Sequence, residues 1–127
     1  MEQSIAEKII ALEKAALTEW NKGNPSVYLE LYSQEITYFD PFAEKRFDGF
    51  EKMKAFYETL RGTISVDKSE MNNVLVQGND SMAVLTYNLN SYSDGKWNCT
   101  EVYCLENDGK WRIIHNHWSF TKPNLGL

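Results

Sequence analysis

At 127 residues, 43% hydrophobic and 13% aromatic, the chain has the length of one domain, residues 1–127, and can bury roughly two thirds of the surface it would expose unfolded. Its formal charge is −5 and no window interleaves Lys or Arg with aromatic residues, so a nucleic-acid partner is not expected. No stretch approaches the roughly 18 apolar residues of a membrane span, and the first residues lack a basic region followed by an apolar run; a cytoplasmic protein with no membrane partner is the expectation.

Ser4 to Glu7 reads as a capping box, after which Ile5, Ile9, Leu12, Ala16 and Trp20 recur at helical spacing until Gly23. The acids of that segment, Glu7, Glu13 and Glu19, are assigned to its solvated face. Asn24 and Pro25 supply an N-cap and a first-turn proline for a short second helix that packs through Tyr28, Leu29, Leu31 and Tyr32. A brief strand, Ile36 to Phe39, stops at Asp40-Pro41, where the proline cannot pair and the carboxylate is left near a sheet edge. Asp48 to Glu51 open a third helix whose buried stripe is Phe50, Met53, Phe56, Tyr57 and Leu60, ending before Arg61-Gly62.

The second half changes period. Asn72 to Val76, Met82 to Ser93, Lys96 to Glu106 and Lys110 to Thr121 are β-branched and aromatic runs, and Asp94-Gly95 and Asp108-Gly109 are hairpin signals, so consecutive strands pair antiparallel. Strands this long curl through bulges, and helices followed by a curled sheet give an α+β fold. On the run from Met82, one face carries Ala83, Leu85, Tyr87 and Leu89, and the wetter one Val84, Thr86, Asn88, Asn90 and Tyr92. On the last run, Trp111, Ile113, His115, His117 and Ser119 share one face; Arg112, Ile114, Asn116, Trp118 and Phe120 share the other. Apolar groups on both sides must be covered twice, by the helices and by a second subunit, so a homodimer through the sheet face is expected and Leu85→Lys should break it.

Cys99 and Cys104 are an odd number of residues apart on one strand, which sends them to opposite faces as free thiols. His115 and His117 put two imidazoles on one face with no third ligand nearby; a structural role is expected, and neither a metal nor a cofactor. The last strand and the carboxylate of Asp40 together frame a pocket for a small organic molecule. Its walls are assigned to Trp20, Tyr38, Met53, Tyr57 and Trp118, its polar groups to Asn88 and Asn116, and Asp40 is its acid or base.

The element order, with Asp40-Pro41 after the first strand and Trp-x-Ile-x-His-x-His-x-Ser from Trp111, resembles the nuclear transport factor two-like superfamily, with its SnoaL-like and ketosteroid isomerase-like branches. That resemblance implies a cone-shaped, curved antiparallel sheet wrapped around three N-terminal helices, with an internal pocket. From Asn21-Lys22-Gly23 through Asp40-Pro41 to Gly49 and Phe56-Tyr57, the first half is similar to ketosteroid isomerase. Asp40 then falls on that family's general base and Tyr57 on its oxyanion network, while the principal oxyanion tyrosine falls at Ala16. The second half, Asn88 to Asp94 and Asp108 to Ser119, is similar to the association domain of calcium/calmodulin-dependent protein kinase II. The pocket arginines of that family fall at Asn88, Val102 and Trp118, leaving Arg61 as a cation near the mouth.

The two resemblances differ over whether Glu101 or Val102 faces inward. The gapless match of Asp108 to Trp111 to the association domain favours Val102 and Thr100. The function implied is small-molecule binding with isomerase-like or cyclase-like proton transfer, Asp40 as base and Tyr38 or Tyr57 as hydrogen-bond donor; the alternatives are a non-catalytic association module and a ligand carrier or sensor.

Overall fold

In the computed structural model, which describes residues 2–92 and 95–122, helix α1 (Gln3–Asn21) turns Ile9, Ala16 and Leu17 inward at helical spacing. Its N-cap is Glu2, with no side-chain hydrogen bond, and Ser4 lies within the helix, so the capping box does not form. Gly23 ends the run at φ +86°, and a Cβ there would lie 2.9 Å from the Ile64 carbonyl oxygen; glycine lets the end of α1 dock on the segment that follows the third helix. Helix α2 (Ser26–Leu31) passes directly into β1 (Tyr32–Phe39), which starts earlier than its apolar run implied. A two-residue strand that the sequence does not announce, β2 (Phe47–Asp48), precedes helix α3 (Phe50–Leu60).

Four further strands follow among the described residues: β3 (Glu70–Gly78), β4 (Met82–Asn90), β5 (Lys96–Leu105) and β6 (Trp111–Phe120). With β1 and β2 they form a curved, unclosed sheet in the order β2-β1-β6-β5-β4-β3. It is antiparallel throughout except that β1 runs parallel to β6. The Asp108-Gly109 signal is a turn: Gly109 takes φ +81° and Asp108 Oδ1 accepts the Lys110 N–H at 3.1 Å. In the other signal, Asp94 lies outside the described residues. No described helix is long and apolar enough to cross a membrane.

The helices cover the face carrying Ala83, Leu85, Tyr87 and Leu89, all buried. Leu85 is therefore core, and a lysine there would report on folding, not on assembly. On β5 the inward set is Trp97, Cys99, Glu101 and Tyr103, which corrects the inward assignment of Thr100 and Val102. The reason is a bulge. Tyr103 pairs with Ile113 but Val102 pairs with His115, so Ile114 is the extra residue of β6 and the parity of that strand inverts. Trp111 and Ile113 point inward before the bulge; Asn116 and Trp118 do so after it. Cys99 is buried and Cys104 half-buried, both as free thiols.

Candidate functional site

Between α1, α3, the segment Thr63–Val66 and the inner sheet face lies a cavity of about 590 Å³. Its walls are rings: Trp20 from α1, Tyr38 from β1, Phe56 and Tyr57 from α3, Trp97 and Trp118 from the sheet. They hold one another in edge and tilted geometries, Trp20 on Tyr57 at 4.8 Å between centroids and Trp97 on Trp118 at 6.3 Å. Phe42, 78% exposed, stands at the mouth beside Phe120.

Asp40 is the only acid on this wall among the described residues. Pro41 ends pairing directly after it, and the turn so formed lets Asp40 Oδ1 accept the Phe42 N–H at 2.9 Å. Its Oδ2 accepts the Tyr38 hydroxyl at 2.8 Å. Tyr38 packs edge-on against Tyr57 with ring centroids 5.9 Å apart, Tyr57 meets Tyr32 hydroxyl to hydroxyl at 2.7 Å, and Asn116 Nδ2 donates to Tyr32 at 2.7 Å. An amide N–H only donates and a carboxylate only accepts, so the direction is Asn116 to Tyr32 to Tyr57 in one run and Tyr38 to Asp40 in the other. Burial pushes the phenols of Tyr32, Tyr38 and Tyr57 well above their ordinary range, so all three remain neutral donors.

Behind the cavity wall is a second acidic group, fully sealed. Glu13 is 0% exposed and accepts three hydroxyls, from Tyr28 at 2.7 Å, Tyr87 at 2.6 Å and Tyr103 at 2.9 Å. Glu101, also 0% exposed, accepts the Cys99 thiol at 3.3 Å. Burial, and then the charge of Glu13, pushes the Glu101 carboxyl well above its ordinary value. Burial likewise raises the Cys99 thiol and leaves it a poor nucleophile. Ligand atoms of Glu13, Cys99 and Glu101 lie within 4.8 Å of one another, close enough for a cation. Yet Glu13 already accepts three hydroxyls and the thiol keeps its proton, so this donor set suits a metal ion poorly.

Of the residues the sequence singled out, Asp40, Tyr57, Trp20, Tyr38 and Trp118 meet on the cavity wall. Asn116 is buried behind it. Met53 is 0% exposed and belongs to the core, not the lining. Arg61 points away: it pairs with Glu58 at 2.7 Å and donates to Asn24 and Ser26, on which a sequence reading had no purchase. Asn88, Thr100 and Val102 lie on the outer sheet face, where Asn88 bonds Asn98 and Asn73. His115, also outward, bonds Thr37 at 2.8 Å. Glu13, expected on the solvated face for its charge, is buried instead; Ile9, Glu13, Ala16 and Trp20 follow the helical stripe, and that spacing is the signal in the sequence that points to it.

A family model described as the SnoaL-like domain matches residues 14–114. A crystal structure of a proposed ketosteroid isomerase from Parabacteroides distasonis is 41% identical, with a TM-score of 0.85 over 95% of this chain and 91% of that one. At lower identity the fold alone is shared. An NTF2-like protein of unknown function from Pseudomonas putida is 21% identical, with a TM-score of 0.80 over 94% of this chain and 88% of that one. The association domain of C. elegans CaMKII is 19% identical, with a TM-score of 0.75 over 93% and 97%. No curated protein matches the chain.

Proposed function

From the premise that this chain belongs to the SnoaL-like domain family, we propose that its cavity binds a flat, largely apolar small molecule and moves a proton on it, with Asp40 as the base. The observation that carries this reading is that, among the described residues, one carboxylate faces a ring-lined hollow. Asp40 takes a proton from a carbon beside a carbonyl, the electron pair moves onto the carbonyl oxygen, and Tyr57 donates a hydrogen bond to that oxygen. Returning the proton to a second carbon completes an isomerisation with no other reactant. The name of the 41% identical relative supports the same chemistry. With Ala16 on α1 offering no phenol, Tyr57 is the donor on which the enolate depends.

Asp40→Asn is expected to slow isomerisation of a β,γ-unsaturated cyclic ketone by about a hundredfold or more while leaving its affinity nearly unchanged. A rate equal to wild type sinks the role of Asp40 as base. Loss of affinity with the rate constant intact assigns it to binding.

A specific observation also favours a second reading, assembly through the outer sheet face. That face carries Val84, Val102 and Ile114 half-buried, with Phe39, Leu75 and Met82 more than a third exposed, and a second copy would cover it. Val102→Lys should lower the mass measured by light scattering to that of one chain; an unchanged mass places the interface elsewhere.

A further inference from the structure

Glu101 on β5 and Asn116 on β6 are cross-strand partners, both 0% exposed, and each keeps one oxygen, Glu101 Oε2 and Asn116 Oδ1, without a hydrogen-bond partner among the described residues. Two buried acceptors side by side are costly unless a proton stands between them. The surroundings of Glu101 say that it carries one. From α1 comes Glu13, already holding three phenolic hydrogens; from the neighbouring elements come the neutral phenols of Tyr28, Tyr32, Tyr57 and Tyr87, and from its own strand Tyr103 and the Cys99 thiol. No cation faces the pair among these groups to offset two buried charges, and Glu13 is the member that already accepts three hydroxyls, so the proton falls to Glu101.

We infer that Glu101 is a neutral acid whose hydroxyl, directly or through one water, locks the Asn116 amide, and that the locked amide makes Tyr57 turn its hydroxyl hydrogen toward the cavity. With Oδ1 engaged by Glu101, Asn116 presents Nδ2 to Tyr32, as observed at 2.7 Å. Tyr32 must then give its own hydrogen to Tyr57, across 2.7 Å, and Tyr57 is left free to donate to Tyr38 or to a ligand oxygen. An ionised Glu101 would draw the amide N–H to itself. The amide would turn over, Tyr32 would donate to Asn116 Oδ1, Tyr57 would donate to Tyr32, and the cavity would lose its donor. Glu101 and Asn116 are thus positioning residues that touch no ligand. This assignment rests on the reading of Tyr57 as the donor in the cavity.

The test uses the whole chain with isotope-labelled tyrosine, reading the Cζ resonances of Tyr32 and Tyr57 without ligand, and separately the affinities for β-naphtholate and for naphthalene. Glu101→Gln retains an N–H for Asn116 Oδ1, so its resonances should match wild type and both affinities stay within about twofold. Asn116→Leu should shift both resonances and weaken β-naphtholate about tenfold, with naphthalene unchanged. If Asn116→Leu does not fold, Asn116→Ala takes its place with the same expectations. Wild-type resonances in the Asn116 variant, or a Glu101→Gln protein that shifts them as the Asn116 variant does, overturns the inference. Resonances that behave as expected in a protein that binds neither probe support the hydrogen-bond direction and overturn the cavity reading alone.

Discussion

The interior has a sealed end and a hollow end, and Tyr28 joins them: its ring lines the cavity while its hydroxyl donates to Glu13 at 2.7 Å. Both ends are built from the same residue types, an acid and several tyrosines. At the sealed end Glu13 takes three hydroxyls and is closed to solvent. At the hollow end Asp40 takes one phenol and one backbone N–H and still faces open space. Residue type therefore does not distinguish scaffold from reactive group here; saturation and access do. Substitutions at the sealed end should be read in stability and those at the hollow end in ligand binding.

The largest effect is expected from Glu13→Ala. Removing the carboxylate leaves three buried phenols unpartnered and opens a void beside Glu101, which should cost about 3–5 kcal/mol in urea unfolding. A loss under about 1 kcal/mol would erase the distinction between the two ends. Trp118→Ala sharpens the comparison from the other side. Trp118 is half-buried, packed edge-on against Tyr87 at 6.1 Å, so its loss should cost about 2 kcal/mol, less than a fully buried ring. Affinity for a flat aromatic ligand should fall by about tenfold or more, and titration of the two proteins side by side checks this.

A smaller effect, specific in its sign, attaches to Glu101. Its carboxyl is held above the ordinary value of 4.5 by burial and by the charge of Glu13. Above that pH the unfolded chain releases a proton that the folded chain keeps, so the contribution is complete below it and wanes as pH rises. Glu101→Gln removes the titration. Its stability relative to wild type should therefore climb with pH above 4.5, by at most about 1.4 kcal/mol per unit. Unfolding curves at several pH values settle it: parallel trends in the two proteins would mean that Glu101 is ionised when folded, and the closed end would hold two charges.

How much of this was legible follows from how local each signal is. The stripes of α1 and α3, the Asp108-Gly109 turn and the alternation from Ala83 to Leu89 are periodic within a few residues, and they stand where the sequence put them. Asp40 and Tyr57 came from a proline after a strand and from resemblance, and they do share the cavity. The faces of β5 and β6 were not legible, because one extra residue at Ile114 inverts parity and nothing in the alternation announces it. The sealed acid pair was hidden for a different reason. A charged residue in an apolar stripe is ordinarily solvated, and its burial becomes tolerable only through hydroxyls from α2, β4 and β5, partners that a reading along the chain does not bring together.

The smallest effect on stability belongs to the rim of the hollow end. Phe42 is 78% exposed, touches Phe120 and Trp97 ring to ring at 5.5 and 6.4 Å between centroids, and contributes to Asp40 only through its backbone N–H, which any residue but proline supplies. Phe42→Ser should therefore change stability by no more than about 0.5 kcal/mol and leave the turn at Asp40 intact. Its ring nonetheless extends the apolar wall to the mouth, so a flat ligand should bind a few-fold more weakly, about threefold, and leave faster. Stopped-flow release of a fluorescent aromatic probe separates the cases. Faster release at unchanged stability places the rim within the binding surface, whereas unchanged release confines that surface to the rings deeper in, Trp20, Tyr57 and Trp118.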